Sequence, residues 1–332
     1  MPECVPSPAR SLGGLFHRAG IFGAVALILV IGALVSPKFL TAGNLLNTVD
    51  SVMLLGIVAV GVAFVTYSGH YADLSVPTTM AFSGVMAVEM LRFGFVPALL
   101  AGLATGLLIG LVNALMVGRL RVNPIIWTLA MSYLTMGVMR WLWSNQQIYP
   151  DVKGGDTGAG RLFTDLYRHE VLSRIPLPMV ILALFAVAGH YVLTRTAFGQ
   201  QLKLVGSNPS MAAMTGVRMP RTVGLAFVLS ALAASVGGIL ITSLSKVGAY
   251  YNGEGYDFDA VTAVVLGGVM LTGGRGSMLG VLGGVLMLGL MSNILTLLGV
   301  DTFAQRIVKG AVFLAVVGVS SLLARRMGRD DA

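Results

Sequence analysis

The sequence predicts an all-α integral membrane protein of about ten transmembrane helices, arranged as an inverted five-plus-five repeat. Three observations carry that expectation. Of 332 residues, 56% are apolar and only 11% charged, and the mean hydropathy is +0.85. A soluble domain carries about 25% charged residues, so in water this chain has more apolar surface than a core can hide. Ten apolar stretches recur, each close to the ~20 residues that cross ~30 Å of hydrocarbon. Two short motifs then return, in the same order, in the second half of the chain. Glycine, 43 of 332 residues, is about twice its usual frequency, which suits closely packed membrane helices.

The stretches run over about 19–36, 49–67, 74–91, 95–117, 123–143, 177–193, 223–245, 258–272, 278–298 and 307–324. The first follows Arg10 and Arg18, is too long for the apolar region of a signal peptide, and lacks a small-x-small cleavage site. It is therefore expected to stay, with 1–18 as a cytosolic tail, 19–324 as the membrane domain and 325–332 as a second cytosolic tail. The 258–272 stretch is short and runs into Gly273-Gly274, so a tilted, a broken and a re-entrant segment all remain open. With the N-terminus inside, the inner segments carry Arg10, Arg18, Arg119, Arg121, Arg195, Lys203, Arg218, Arg221, Arg275, Arg325, Arg326 and Arg329, which is 12 of the 22 basic residues. Five of the remaining ten lie at 140–174, around one long outer loop that also holds Asp151, Asp156, Asp165 and Glu170. The short loops place both termini in the cytosol.

The repeat is read directly. Asp73-x4-Thr78-x5-Gly84-Val85-Met86 returns as Asp257-x4-Thr262-x5-Gly268-Val269-Met270, and Gly110-Leu111-Val112-Asn113 resembles Gly289-Leu290-Met291-Ser292-Asn293. The matches fall in spans three and four against spans eight and nine. An offset of five spans reverses direction, which is the inverted-repeat architecture of many transporters. Chance similarity in apolar sequence is the competing explanation.

Several chemistries are excluded by residue content. The single Cys4 rules out disulfides and thiolate metal clusters, and His17, His70, His169 and His190 form no HExxH pair. No Gly-Lys dipeptide exists to build a Walker A loop, and no dinucleotide fingerprint is present. No cofactor is expected. A net charge of +8 without a basic stripe interleaved with aromatics sets topology and does not imply nucleic acid.

Candidate functional residues cluster in four places. Thr66, Ser68, His70, Asp73 and Ser75 lie in a polar run ending at Pro77 that interrupts two apolar stretches. Irregular backbone at membrane depth needs cover from protein or a water-filled cavity, and an ionisable group there is a functional candidate. Asp73 either caps the third helix or serves transport directly. Asp257 and Asp259 are its counterparts at span eight. Gly102, Gly106, Gly110, Ala114 and Gly118 fall every fourth residue along span four and predict a close helix contact, with Asn113 beside it to bond across. On span five, Thr128, Ser132 and Thr135 share one face near Trp127. That face suits a pathway for a hydroxylated solute or interhelical hydrogen bonding equally well. Trp141 and Trp143 read as interfacial anchors, and Glu89 and Arg92 as a pair.

The inner segment at about 194–222 holds the fourth cluster. In Asn208-Pro209-Ser210-Met211-Ala212-Ala213-Met214-Thr215-Gly216, Asn208 is an N-cap, Pro209 fits the first helical position and Gly216 the left-handed residue beyond the end. A helix of two turns is too short to stand alone. Met211, Ala212 and Met214 give it an adaptable apolar surface, made either for a protein partner or for the lipid interface.

At these residues the sequence resembles the membrane permease subunits of bacterial ABC importers of the ribose/monosaccharide type, over Phe39 to Leu323. Asp73-Leu74-Ser75-Val76 matches the centre of that family's first motif, Pro124 to Leu129 a form of Pro-Phe-Ile-Val-Thr-Leu, and Gly206 to Gly216 its coupling segment. Asp257 to Ser277, with Gly267-Gly268 and Gly273-Gly274-Arg275-Gly276-Ser277, and Gln305 to Gly310 complete the likeness. His70-Tyr71-Ala72, Pro77 and Trp127 depart from the family pattern where a pathway would be lined. The resemblance implies an inner-membrane subunit that performs no covalent chemistry. It implies a dimer with a second permease subunit, two cytosolic ATPase subunits acting through Gly206 and residues 208–216, and a periplasmic binding protein delivering a monosaccharide or similar polyhydroxylated solute. It also marks Gly267 and Gly268 as packing positions. An ion- or proton-coupled secondary transporter is the alternative, but few ionisable groups lie deep in the spans, and proton relays need them.

Overall fold

Two helices are apolar on every side, and that places them at the centre of the molecule. They are α2 (Ala42–Tyr67) and α11 (Met219–Ser245), which pack against each other. From Val52 to Ser68 every residue is buried. The computed structural model describes residues 12–155, 158–171 and 175–330. Residues 1–11 of the expected N-terminal tail, Asp156 in the outer loop and the last two residues of the C-terminal tail lie outside them.

Around this pair the architecture repeats. The helices α3 (Val76–Met90) and α4 (Phe95–Asn113) pack on α11 and on each other, while α12 (Tyr256–Leu266) and α13 (Met278–Leu297) pack on α2 and on each other. Outside them, α5 (Pro124–Leu142) covers α3 as α14 (Thr302–Asp330) covers α12. This is the pseudo-two-fold arrangement expected of an inverted repeat. The aligned motifs do not occupy equivalent positions, however. Asp73 lies in the irregular segment before α3, whereas Asp257 is the second residue of α12, and Gly84 is helical while Gly268 turns with a φ of +76° beyond the end of α12.

Among the described residues, six helices are long and apolar enough to cross a membrane: α2, α4 with its continuation to Arg119, α5, α8 (Leu177–Arg195), α11 and α13. The other four expected segments fall on α1 (Leu12–Val35), which packs on α13, and on α3, α12 and α14. At 15 and 11 residues, α3 and α12 span only about 22 and 16 Å, short of ~30 Å of hydrocarbon. The 258–272 stretch is thus a broken segment: its helix stops at Leu266 and the chain turns through Gly268, Gly273, Gly274 and Gly276, all at positive φ. The helix α14 runs unbroken through residue 325, where the sequence alone suggested a tail.

The long loop between α5 and α8 folds into α6 (Pro150–Gly154), α7 (Ala159–Asp165) and a minimal hairpin of β1 (Glu170–Val171) with β2 (Ile175–Pro176). It fastens to the membrane domain at Glu89, whose carboxylate meets Arg92 at 3.6 Å but Lys153 of α6 at 3.0 Å. Trp143 corrects an expectation. Its indole N–H donates to Glu89 Oε2 at 3.1 Å and its ring meets Phe82 edge-on, so it ties α5 to α3. Trp141 is 80% exposed, as an interfacial anchor requires.

The span-four stripe faces α11 along its length. A Cβ at Gly102 would lie 2.8 Å from Ile239 Cδ1, at Gly106 2.9 Å from Ala231 O, at Gly110 3.0 Å from Val228 Cα and at Gly118 2.6 Å from Pro220 O. The close approach lets the Ser235 hydroxyl of α11 donate to Gly102 O at 2.7 Å. Gly267 does the same for α12 against α13, where its Cβ would stand 2.5 Å from Gly280 O.

Candidate functional site

The break before α3 is closed by a directed chain of hydrogen bonds. An indole N–H only donates, so Trp127 Nε1, 3.0 Å from Asn113 Oδ1, fixes the orientation of that amide. Asn113 Nδ2 then donates to Ser75 Oγ at 2.9 Å, and the Ser75 hydroxyl donates onward to Asp73 Oδ1 at 2.6 Å. The same oxygen accepts the Ser75 backbone N–H at 3.0 Å, and Oδ2 accepts the Ser230 hydroxyl of α11 at 3.1 Å. Asp73, Ser75, Asn113 and Ser230 are each at most 1% exposed. The carboxylate is thus bound by three donors and, among the described residues, has no cationic partner. Buried polar groups left unpaired are costly. The chain from α5 through α4 to the break and α11 explains how a carboxylate is kept in the interior.

Asp73 is therefore not the helix cap. The N-cap position belongs to Ser75, which makes no side-chain cap bond, and Asp73 braces the turn before it. At α12 the N-cap position is Gly255, with Asp257 and Asp259 in the first turn and Asp259 Oδ2 2.7 Å from Lys309 Nζ. Thr128 Oγ1 accepts the Leu74 N–H at 3.0 Å and donates to Pro124 O, and Thr78 Oγ1 lies 3.3 Å from Ser132 Oγ. Thr128 and Ser132 thus tie α5 to α3 and the segment before it, while Thr135 bonds Met131 O and Ser132 O of its own helix. Thr66 bonds Tyr71 O at 2.9 Å, Ser68 bonds Val65 O at 2.7 Å, and His70 Nδ1 sits 2.9 Å from Ser68 Oγ with its ring edge-on to Phe227. Of the eight pathway candidates, Thr66, Ser68, Asp73, Ser75 and Thr128 are buried and bonded within the protein, while His70, Trp127 and Ser132 keep partial access. Tyr71, with φ of +59° and 47% exposed, stands beside them, within the His70-Tyr71-Ala72 departure that the sequence marked. Ser230 was not singled out by the sequence: it is one of six hydroxyl residues on α11, with nothing nearby to mark it among them.

The second element is α10 (Pro209–Met214), reached through α9 (Ala197–Ser207). Asn208 Oδ1 accepts the Met211 N–H at 3.0 Å. At the other end Val217 N donates to Ala212 O at 3.1 Å and Gly216 N to Ala213 O at 3.2 Å, with Gly216 at φ +77°. Those two bonds define a Schellman motif. Met211 and Met214 are 49% and 80% exposed, and Asn208 and Pro209 are exposed beside them. Ala212 departs from expectation: it is fully buried, packed in the main core with Leu202 and Val205, and anchors the helix.

Gly206 departs further. Its Cβ would collide with Tyr67 O and stand 2.5 Å from Gly274 N, while a Cβ on Gly273 would stand 2.6 Å from Gly69 N. Gly274 N donates to Tyr67 O at 3.0 Å. Gly206, partly exposed, is the place where α9, the end of α2 and the turn after α12 cross backbone on backbone. The helix α9 links α10 to that crossing.

Comparison with known proteins gives a consistent result. The family described as branched-chain amino acid transport system / permease component matches residues 44–317. The ribose import permease protein RbsC of Bacillus subtilis is 33% identical over 307 residues, 92% of each chain. The L-arabinose ABC transporter permease protein AraH of Azospirillum brasilense is 33% identical over 323 residues, 95% of this chain and 92% of its own. RbsC of Escherichia coli K12 is 32% identical over 315 residues, 92% of this chain and 94% of its own. No solved structure gives a significant match. The chain belongs to this permease family of ABC importers, as a multi-pass inner-membrane subunit that works with separate ATPase and solute-binding partners.

Proposed function

We propose that this chain, paired with a second permease subunit of the same or another sequence, carries a monosaccharide inward, with both termini in the cytosol. The sugar class follows the ribose and L-arabinose named for its relatives. The observation that carries the mechanism is α10, a helix of one and a half turns, capped at both ends, rooted by Ala212 and presenting Met211 and Met214. Seated on an ATPase subunit, it moves when that subunit closes, and α9 delivers the motion to the glycine crossing between α2 and the turn after α12. The Asp73 chain holds the opposite half of the bundle in register while His70, Tyr71, Trp127 and Ser132 line the access to the break. Alternating access then follows from two packings of the crossing, each favoured by a different state of the partner.

The test is reconstitution of the chain with its ATPase in vesicles, adding the cognate binding protein loaded with ribose or L-arabinose. ATP-dependent accumulation of either sugar supports the proposal. Accumulation driven by an ion gradient without ATPase, or uptake of branched-chain amino acids with neither sugar, overturns it.

A further inference from the structure

The α4–α11 contact opens, at the end nearest α10, into a groove of about 680 Å³. Its floor is made by the close backbone approach itself: Ala114 lies against Gly224, and Gly118 against Pro220. One wall carries Leu111, Leu115 and Arg119, the other Arg221, Leu225 and Val228. Leu111, Leu115 and Leu225 are about half exposed. Both arginines sit at one end, and the leucines and valine extend some 7 or 8 residues along the helices from them, roughly 10–12 Å into the bilayer. The wall that carries Arg119 is a π-helix, Ala114–Arg119, with Leu120 N donating to Leu115 O at 3.0 Å. Among the described residues, neither arginine makes a side-chain hydrogen bond or ion pair, and no acid stands in the groove lining.

We propose that this groove binds an anionic phospholipid, its phosphate between Arg119 and Arg221 and an acyl chain along Leu111, Leu115, Leu225 and Val228. Two unpaired cations at the membrane boundary call for an anion, and the apolar trough running from them toward the bilayer interior calls for a chain attached to it. An acidic loop of the ATPase satisfies the first requirement but leaves the trough empty. Arg121 and Arg218 line an adjoining hollow beside Ala213 and Val217 of the α10 region, which shares Pro220 and Arg221 with the groove; the two stand outside the apolar trough and serve as a control of equal charge.

The experiment measures exchange of the purified full-length chain between nanodiscs of pure dioleoyl phosphatidylcholine and discs carrying a minor fraction of brominated dioleoyl phosphatidylglycerol, with lipid retention read by native mass spectrometry. Each basic contact near the surface is worth about fivefold. Arg119→Gln with Arg221→Gln is therefore expected to lower phosphatidylglycerol preference roughly 25-fold, and Arg121→Gln with Arg218→Gln, which stand outside the trough, clearly less. Leu225→Gln, which leaves the charges in place, is expected to lower retention as well. No preference in the unaltered chain, or equal losses in the two arginine pairs, overturns the site in favour of diffuse attraction. Unchanged lipid retention with loss of ATPase co-purification in the Arg119/Arg221 variant also overturns it and assigns the arginines to the protein partner.

Discussion

Before α3 the chain breaks at residues 68–75 and is held there by side chains. After α12 it breaks again, and the turn through Gly273 and Gly274 is held by backbone. In the first break Trp127, Asn113, Ser75, Ser230 and Asp73 form successive hydrogen bonds, each removable alone. In the second, Gly206, Gly69, Gly273 and Gly274 bring three segments so close that no Cβ fits at Gly206. The difference separates two ways of passing irregular backbone through a bilayer: a polar chain tolerates graded damage, whereas a glycine crossing is intact or lost. It also separates roles. The crossing lies next to α9 and α10, where force enters, and the polar chain lies on α3, α4, α5 and α11, where shape must be kept.

The largest effect is expected at the crossing. Gly206→Val forces side-chain atoms onto Tyr67 O and Gly274 N, both backbone, so relaxation by a rotamer change is closed off and the cost exceeds the ~1–3 kcal/mol of ordinary overpacking. Size-exclusion profiles and thermal melting in detergent should show little folded protein; a melting temperature close to that of the unaltered chain breaks the comparison. Gly106→Leu tests whether a helix–helix stripe behaves in the same all-or-none way, since Ala231 O stands 2.9 Å from the position of its Cβ. It should lower assembly without changing which sugar is taken up.

Smaller and graded effects belong to the polar chain. Asp73→Ala leaves the Ser75 hydroxyl, the Ser75 N–H and the Ser230 hydroxyl without their acceptor, and each buried group left bare costs about 1–3 kcal/mol. Melting should fall clearly, while Asp73→Asn, which keeps an acceptor oxygen, should fall less. Trp127→Phe strands only Asn113 Oδ1 and should cost about 1 kcal/mol. If Trp127→Phe proves as damaging as Asp73→Ala, the chain is not graded and the two breaks are alike.

The bundle was legible because its signal is composition: apolar stretches of membrane length report themselves, as did the spacing of Gly102, Gly106 and Gly110. The caps of α10 were legible for the same reason, since Asn208, Pro209 and Gly216 act within one short segment. What stayed hidden depends on pairs distant in sequence. Nothing near Ser230 announces Asp73, and nothing near Gly206 announces Gly274. Local reading therefore left Thr128 open between a pathway and interhelical bonding and grouped Gly206 with the coupling segment, without the partners Leu74, Tyr67 and Gly274 that the fold supplies. The break in the 258–272 stretch was legible in its shortness and its Gly273-Gly274 ending, but hydropathy does not register that α12 stops at Leu266 inside the apolar run.

In the proposed mechanism α10 is the element through which ATP hydrolysis drives uptake. Met211→Asp tests it directly, because Met211 is exposed and takes no part in the core. The measurement is sugar uptake in vesicles containing the chain, its ATPase and its binding protein, with ATPase recovery and the melting temperature of the chain followed alongside. Burying an unpaired carboxylate in an apolar joint costs enough to reduce uptake roughly tenfold or more. The account predicts that loss, through failed ATPase recovery or through hydrolysis without transport, at an unchanged melting temperature. Full uptake with full ATPase recovery in Met211→Asp contradicts it and leaves α10 as a helix lying on the lipid surface.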